Sequence, residues 1–321
     1  MRKLLAVPVV VVALFLPSSG AASSGGRPVA LVTAETSNQV IAVSLGPNGG
    51  HVLRRVHLVD PLMIAAAPHG PAVVVNPSGI VTLLAWHTLR PIKVFHSFRT
   101  PKVAAVAPNG RLAYVTDEGT GRLSVIDLVR RKVVRRVFVG LGAHHLGISP
   151  NGRRVWVALG ETATTIVRVN SSNPRKPRVL GRFHPQFGAH DVSFAPDGRT
   201  VWVTSPSRST VSGYTLGGTL LWTAGAGKPP GHVAFSGGRA LVPSGYGSLL
   251  SAFTWGSPSR APDRTSAPYG SFNLATYGGF VVTTSLFSGQ VSEYRVSNLH
   301  RLWTAKVAPA ARYVAISVWP R

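Results

Sequence analysis

Three short strings in this 321-residue chain could bring metal-binding or proton-transferring groups together: Gly142-Ala143-His144-His145, Gly188-Ala189-His190-Asp191 and Pro230-Gly231-His232. Imidazole changes charge near neutral pH and is the commonest side-chain ligand for metals. Several imidazoles with one carboxylate suit Zn²⁺, Cu²⁺, Ni²⁺ or Fe²⁺, and three of them leave a coordination position open for water or substrate. The expected ligands are His144, His190 and His232, with His145 beside them and Asp191 as base or orienting group. Lys102 and Arg312 fall at matching places in other segments and would add a positive lobe for an anionic ligand. The plainer alternative is that a Gly-x-His string hydrogen-bonds a neighbouring segment and was copied by duplication.

A repeat makes these strings equivalent. Ala67-Pro68-His69-Gly70 recurs as Ala107-Pro108-Asn109-Gly110, Ser149-Pro150-Asn151-Gly152 and Ala195-Pro196-Asp197-Gly198, with weaker copies at Ser236-Gly237-Gly238 and Tyr277-Gly278-Gly279. The terminal glycines are spaced by 40, 42, 46, 40 and 41 residues. A period near 40 residues is that of a four-stranded propeller blade. An apolar run precedes each turn. A β-branched run follows, such as Leu112-Ala113-Tyr114-Val115-Thr116, and then an alternating strand such as Leu123-Ser124-Val125-Ile126-Asp127. Trp156 and Trp202 take the place of Tyr114 and are expected in the core, and Asp127 is expected as a turn partner. No stretch has helical periodicity.

The expected fold is all-β, one seven-bladed β-propeller with four-stranded blades. Residues 27–60 supply only three strands, and the segment from Arg312 to Ser317 matches a lone first strand. The C-terminal strand should therefore complete the N-terminal blade and close the ring. The blades are expected at 27–60 plus 311–321, 61–99, 100–140, 141–186, 187–227, 228–269 and 270–310. The first strand of each blade should line the central channel. Aligning the units on the turn gives a ring of entry pairs: Leu62-Met63, Lys102-Val103, His144-His145, His190-Asp191, Gly231-His232, Phe272-Asn273 and Arg312-Tyr313.

Residues 1–26 read as a secretory signal peptide and short leader. Arg2 and Lys3 form a positive start, Leu4 to Leu16 an apolar run too short to span a bilayer, and Ser19-Gly20-Ala21 a cleavage signal. Beyond Gly26 no run approaches spanning length, so a chain outside the cytoplasm without a transmembrane span is expected. With 45% hydrophobic residues and no cysteine, the chain is neither disordered nor held by disulfides or cysteine-bound metal. The formal charge of +24 comes from 34 basic and 10 acidic residues, 27 of the former being Arg. Such an excess suits polyanions, although scattered Arg also follows from compositional bias. Asp117-Glu118 and Glu161 give too few oxygens per loop for a calcium cage. There is no nucleophile elbow, phosphate loop, dinucleotide fingerprint or His-Glu-x-x-His.

Tyr114-Val115-Thr116-Asp117 after Pro108-Asn109-Gly110, followed by Ser124-Val125-Ile126-Asp127, resembles the YVTN-type propeller repeat of extracytoplasmic proteins, a group that includes YncE-like periplasmic propellers. The resemblance spans residues 27–321 and fades over 228–310. It implies a seven-bladed propeller that is secreted, periplasmic or at the cell surface, and it implies no single activity. The leading expectation is a non-enzymatic binding or scaffold protein, monomeric, using its channel mouth or basic rim to hold a small ligand or a cell-envelope partner. The alternatives are a metal-assisted lactonase or lyase built on the histidines, and an electrostatic binder of nucleic acid or anionic envelope polymers.

Overall fold

The Pro-Asn/Asp-Gly turns set the geometry of the repeat. In three successive units Asn109, Asn151 and Asp197 accept with Oδ1 the amides of Arg111, Arg153 and Arg199, at 3.0, 3.0 and 2.8 Å. Gly110, Gly152 and Gly198 follow at φ 66, 68 and 64°, where a Cβ is disfavoured. In the two weaker copies the turn has shrunk to two glycines. Gly237-Gly238 and Gly278-Gly279 all have positive φ, between the paired residues Ser236 and Arg239 and between Tyr277 and Phe280. That is the type I′ hairpin, whose twist matches the strands it joins. The motif faded there because a different turn does the same work.

The computed structural model describes residues 26–321 and contains seven four-stranded antiparallel sheets in a ring, a seven-bladed β-propeller. Most of the expected leader thus lies outside the described residues. Blade 1 is composite: Val314–Pro320 is its innermost strand, followed outward by Gly26–Ala34, Gln39–Ser44 and Val52–His57. Val314–Pro320 pairs with Gly26–Ala34 from Val314 opposite Val32 to Pro320 opposite Gly26. Blades 2 to 7 span residues 63–95, 101–138, 143–183, 192–225, 234–266 and 271–306. Apart from a single 3-10 turn at Glu35–Ser37, the described residues form no helix, and none is long and apolar enough to cross a membrane.

Middle strands are buried on both faces between neighbouring blades, which is why they read as continuous apolar runs. Tyr114, Trp156 and Trp202 are fully buried, as expected of core residues. The outermost strands alternate and end the sheets. Arg54, Lys93, Lys132, Arg135 and Arg301 are exposed there. Basic side chains on an edge strand oppose edge-to-edge pairing, which gives part of the positive charge a structural role. Asp127 is a turn partner, accepting the amides of Val129 and Arg130 at 3.0 and 2.8 Å.

Blade 7 is tied to blade 1 by a buried acid that the sequence does not reveal. Glu293 accepts the Gly46 amide at 2.9 Å and the Tyr277 hydroxyl, while the Trp303 indole N–H donates to the Gly46 carbonyl at 3.0 Å. Burial and the Glu293 carboxylate hold the Tyr277 phenol well above its usual range, so it stays a donor.

Candidate metal centre

Threonines on the second strands fix the entry pairs of the innermost strands. The Thr116 hydroxyl donates to the His144 carbonyl at 2.5 Å, and Thr284 donates to the Arg312 carbonyl at 2.7 Å. Thr204 Oγ1 accepts the Asp191 amide, and Thr33 Oγ1 the Tyr313 amide, each at 3.0 Å. Threonines of blades 3 and 7 thus hold the entry backbone of the next blade, and those of blades 5 and 1 hold that of their own.

Three side chains of the entry pairs meet. One ring nitrogen from each of His145, His190 and His232 lies within 4.8 Å of the other two. The ring centroids of His145 are 4.1 Å from His190 and 5.1 Å from His232. Two of the rings are oriented through their far nitrogen. His190 Nδ1–H donates to the Glu161 carbonyl at 3.2 Å, and His232 Nδ1–H donates to Asp191 Oδ1 at 3.0 Å. An Nδ1 held by an acceptor is the outer-shell arrangement that fixes ring orientation in metal sites and turns Nε2 toward the ligand position. His145 is 2% exposed, and its Nδ1 has no hydrogen-bond partner.

The protonation of the cluster follows from its burial. Burial, reinforced by the surrounding imidazoles, holds His145 well below the usual value. His190 is brought down to about 4, by burial first and then by His232. Both are neutral near pH 7, as metal ligands must be. Burial pushes the Asp191 carboxyl up. The His232 imidazole, the Val233 amide at 2.8 Å and the Ser193 hydroxyl at 2.8 Å outweigh it, so Asp191 is held below the usual carboxylate range.

Of the four histidines at the mouth, the geometry brings His145 together with His190 and His232, and sets His144 apart. The pairing of blade 4 is irregular between Ala143 and Leu146, where the two histidines sit. His144 Nδ1 instead pairs with Glu118 Oε1 at 3.1 Å, and Glu118 Oε2 pairs with Lys102 at 3.2 Å. Burial raises the Glu118 carboxyl, but the bonds from Lys102 and His144 carry it below its usual value. Burial in turn lowers His144, more than Glu118 raises it. The positive lobe is also largely neutralised, because Lys102 faces Glu118 and Arg312 meets Glu35 at 2.7 Å. Asp191 is 4% exposed with both oxygens engaged, Oδ1 by His232 and Oδ2 by the Val233 amide and the Ser193 hydroxyl.

Above the triad is a cavity of about 330 Å³. All four histidines and Arg312 line it, and Lys102 and Asp191 do not. Its remaining wall includes groups that the repeat did not single out as a set: Tyr246, Phe272, Phe287 and Tyr313. Tyr246 and Phe287 sit in loops between second and third strands, where the repeat imposes no residue type. The only sequence signal for them was an aromatic just past the strand-ending Ser244 and Ser285. The Tyr313 hydroxyl stands 3.5 Å from His232 Nε2, and burial holds it well above the usual phenol range.

No family model matches the sequence, and no curated protein matches it. Solved structures do match. A functionally unknown protein from Desulfotomaculum acetoxidans DSM 771 is 15% identical with a TM-score of 0.76, over 90% of this chain and 98% of that one. Kuenenia stuttgartiensis hydrazine synthase is 17% identical with a TM-score of 0.61, over 74% and 77%. Dihydro-heme d1 dehydrogenase NirN in complex with DHE is 16% identical with a TM-score of 0.64, over 88% and 64%. At these identities the likeness is one of fold.

Proposed function

We propose that this protein is an extracytoplasmic binding protein that holds one divalent transition metal, zinc by the chemistry of its donors, at the channel mouth. His145, His190 and His232 are the ligands. The observation that carries this reading is the approach of three imidazole nitrogens to within 4.8 Å of one another, with His190 and His232 anchored through their other nitrogen. Half-buried and buried imidazoles gathered without a ligand return little for their desolvation, whereas a shared cation turns the same geometry into three bonds. Three protein ligands leave a fourth position facing the cavity. The orphaned Nδ1 of His145 fits a site made for something more than packing. Metal analysis of purified protein after zinc exposure tests this, and one equivalent of zinc that is lost in the triple alanine variant is the expected result.

The YVTN-type resemblance supports membership of the extracytoplasmic propellers, and the basic-start, short-apolar-run pattern of residues 1–26 supports export. Fractionation of cells expressing the full chain, with N-terminal sequencing of the product, tests both.

A second reading, metal-assisted lactonase or lyase chemistry, is favoured by one observation, the Tyr313 hydroxyl at 3.5 Å from a ligand imidazole. Kept protonated by burial, it would donate a hydrogen bond to a group bound at the metal. Tyr313→Phe in a zinc-loaded protein would abolish turnover of a lactone panel while keeping the metal. Absence of turnover in the parent protein removes this reading and leaves the binding one.

A further inference from the structure

The cavity has a second built feature beside the histidines. Tyr246, Tyr269, Phe272 and Phe287 form one cluster in blades 6 and 7. Tyr246 and Phe287 are parallel within 5° at 6.0 Å, Phe272 meets Tyr246 edge-on at 5.3 Å, and Tyr269 meets Phe287 at 5.3 Å. Tyr246, Tyr269 and Phe287 are 58, 54 and 49% exposed. Contiguous exposed apolar surface of this kind marks interaction sites. The backbone is shaped to seat it. A Cβ at Gly245 would fall 2.0 Å from the Phe272 ring, and one at Gly270 would fall 2.6 Å from the Phe287 ring, at a φ of +88°. Tyr246, Phe272 and Phe287 line the same cavity as the triad, so their rings are within the space open to a molecule bound at the fourth metal position.

Charge and hydrogen bonding narrow the ligand further. Neutral imidazoles leave a bound dication its two charges; of the carboxylates nearby, Asp191 is already bonded to three donors, and Glu161 stands on the cavity wall. The two nearby cations are paired with Glu35 and Glu118. The dication itself attracts an anionic oxygen donor to its open position. On the same wall Asn273 is 8% exposed; its Nδ2 donates to the Arg312 carbonyl at 3.0 Å, and its Oδ1 has no partner. A buried acceptor without a partner fits a ligand that brings a hydroxyl or amine.

Building on the metal reading, we propose that the site takes a small ring-bearing carboxylate with an adjacent hydroxyl or amino group. The carboxylate binds the metal, the ring lies on the Tyr246–Phe287 wall, and the polar hydrogen goes to Asn273.

Titration calorimetry on the zinc-loaded full chain tests this with three probes. Mandelate has ring, carboxylate and hydroxyl, phenylacetate lacks the hydroxyl, and lactate lacks the ring. Mandelate should bind about tenfold or more tighter than lactate, in line with aromatic contact added to area burial. It should also bind several-fold tighter than phenylacetate. Tyr246→Ala with Phe287→Ala should erase the first difference at unchanged zinc content and melting temperature, and Asn273→Ala should erase the second. Equal binding of mandelate and lactate, or discrimination that survives the double variant, overturns the proposal. Zinc content is read on the same samples, so failure of the metal reading shows separately. Ring discrimination without zinc would keep the aromatic wall and overturn the metal–carboxylate contact.

Discussion

The ring of entry pairs at the channel mouth divides into two arcs. In blades 2 and 3 the second member of each pair is apolar: Met63 packs against the core and Val103 is 4% exposed within it. From blade 4 round to blade 1 the same position holds His145, Asp191, His232, Asn273 and Tyr313. The backbone beneath is alike in both arcs, with Thr116 bracing Val103 and Thr204 bracing Asp191. The fold is thus satisfied by a plain hydrophobe at this position. The polar arc places an unpartnered imidazole nitrogen and a buried carboxylate where the other arc has packed hydrocarbon. The polar arc also ties blades together, through His190 and the Glu161 carbonyl, His232 and Asp191, and the Val233 amide and Asp191, so its residues serve packing as well as any site.

The comparison can be broken at several levels. Deleting residues 311–321 removes the strand Val314–Pro320 that closes the ring, together with Arg312 and Tyr313 just before it. Cooperative unfolding should vanish, or the melting temperature should fall by tens of degrees, and a truncated protein that melts like the parent would contradict closure. Asp191→Asn leaves the backbone in place and removes the charge that orients His232. Zinc affinity should fall about 10- to 100-fold, the usual cost of losing an outer-shell partner, and competition against a chromogenic chelator reads it.

Acidification should act on the polar arc. Burial holds His190 at about 4 when folded against an ordinary 6.5, and His145 lies well below its ordinary value too. The unfolded chain therefore takes up protons first. The stability of the metal-free protein should be full above about pH 6.5 and decline as pH falls toward 4, as linkage requires. Thermal melts across that window should flatten when the three histidines are alanine. The smallest effect belongs to the apolar arc. Val103→Ala should cost about 1 kcal/mol of stability through lost methyl packing and leave zinc affinity unchanged, as denaturant titration and the same chelator assay would show.

The turn of Pro150-Asn151-Gly152 and its copies made the blade count and ring closure readable from sequence, because one local geometry recurs wherever the same residues do. Alignment on that turn also found the mouth, including His190, Asp191 and His232. It could not tell His144 from His145. Alternation decides which side chain faces the channel, and the irregular pairing between Ala143 and Leu146 breaks alternation at those two residues. Glu293 escaped because its partner Gly46 is 247 positions away. Tyr246 and Phe287 escaped because they stand in loops that differ from blade to blade.

The central claim is that His145, and not His144, completes a three-histidine metal site. The direct measurement is zinc content of the purified, untagged protein by elemental analysis, in the parent, in His145→Ala and in His144→Ala. The account predicts about one zinc per chain in the parent and in His144→Ala, and almost none in His145→Ala. Equal zinc in all three, or no zinc in the parent after saturation and desalting, would contradict it.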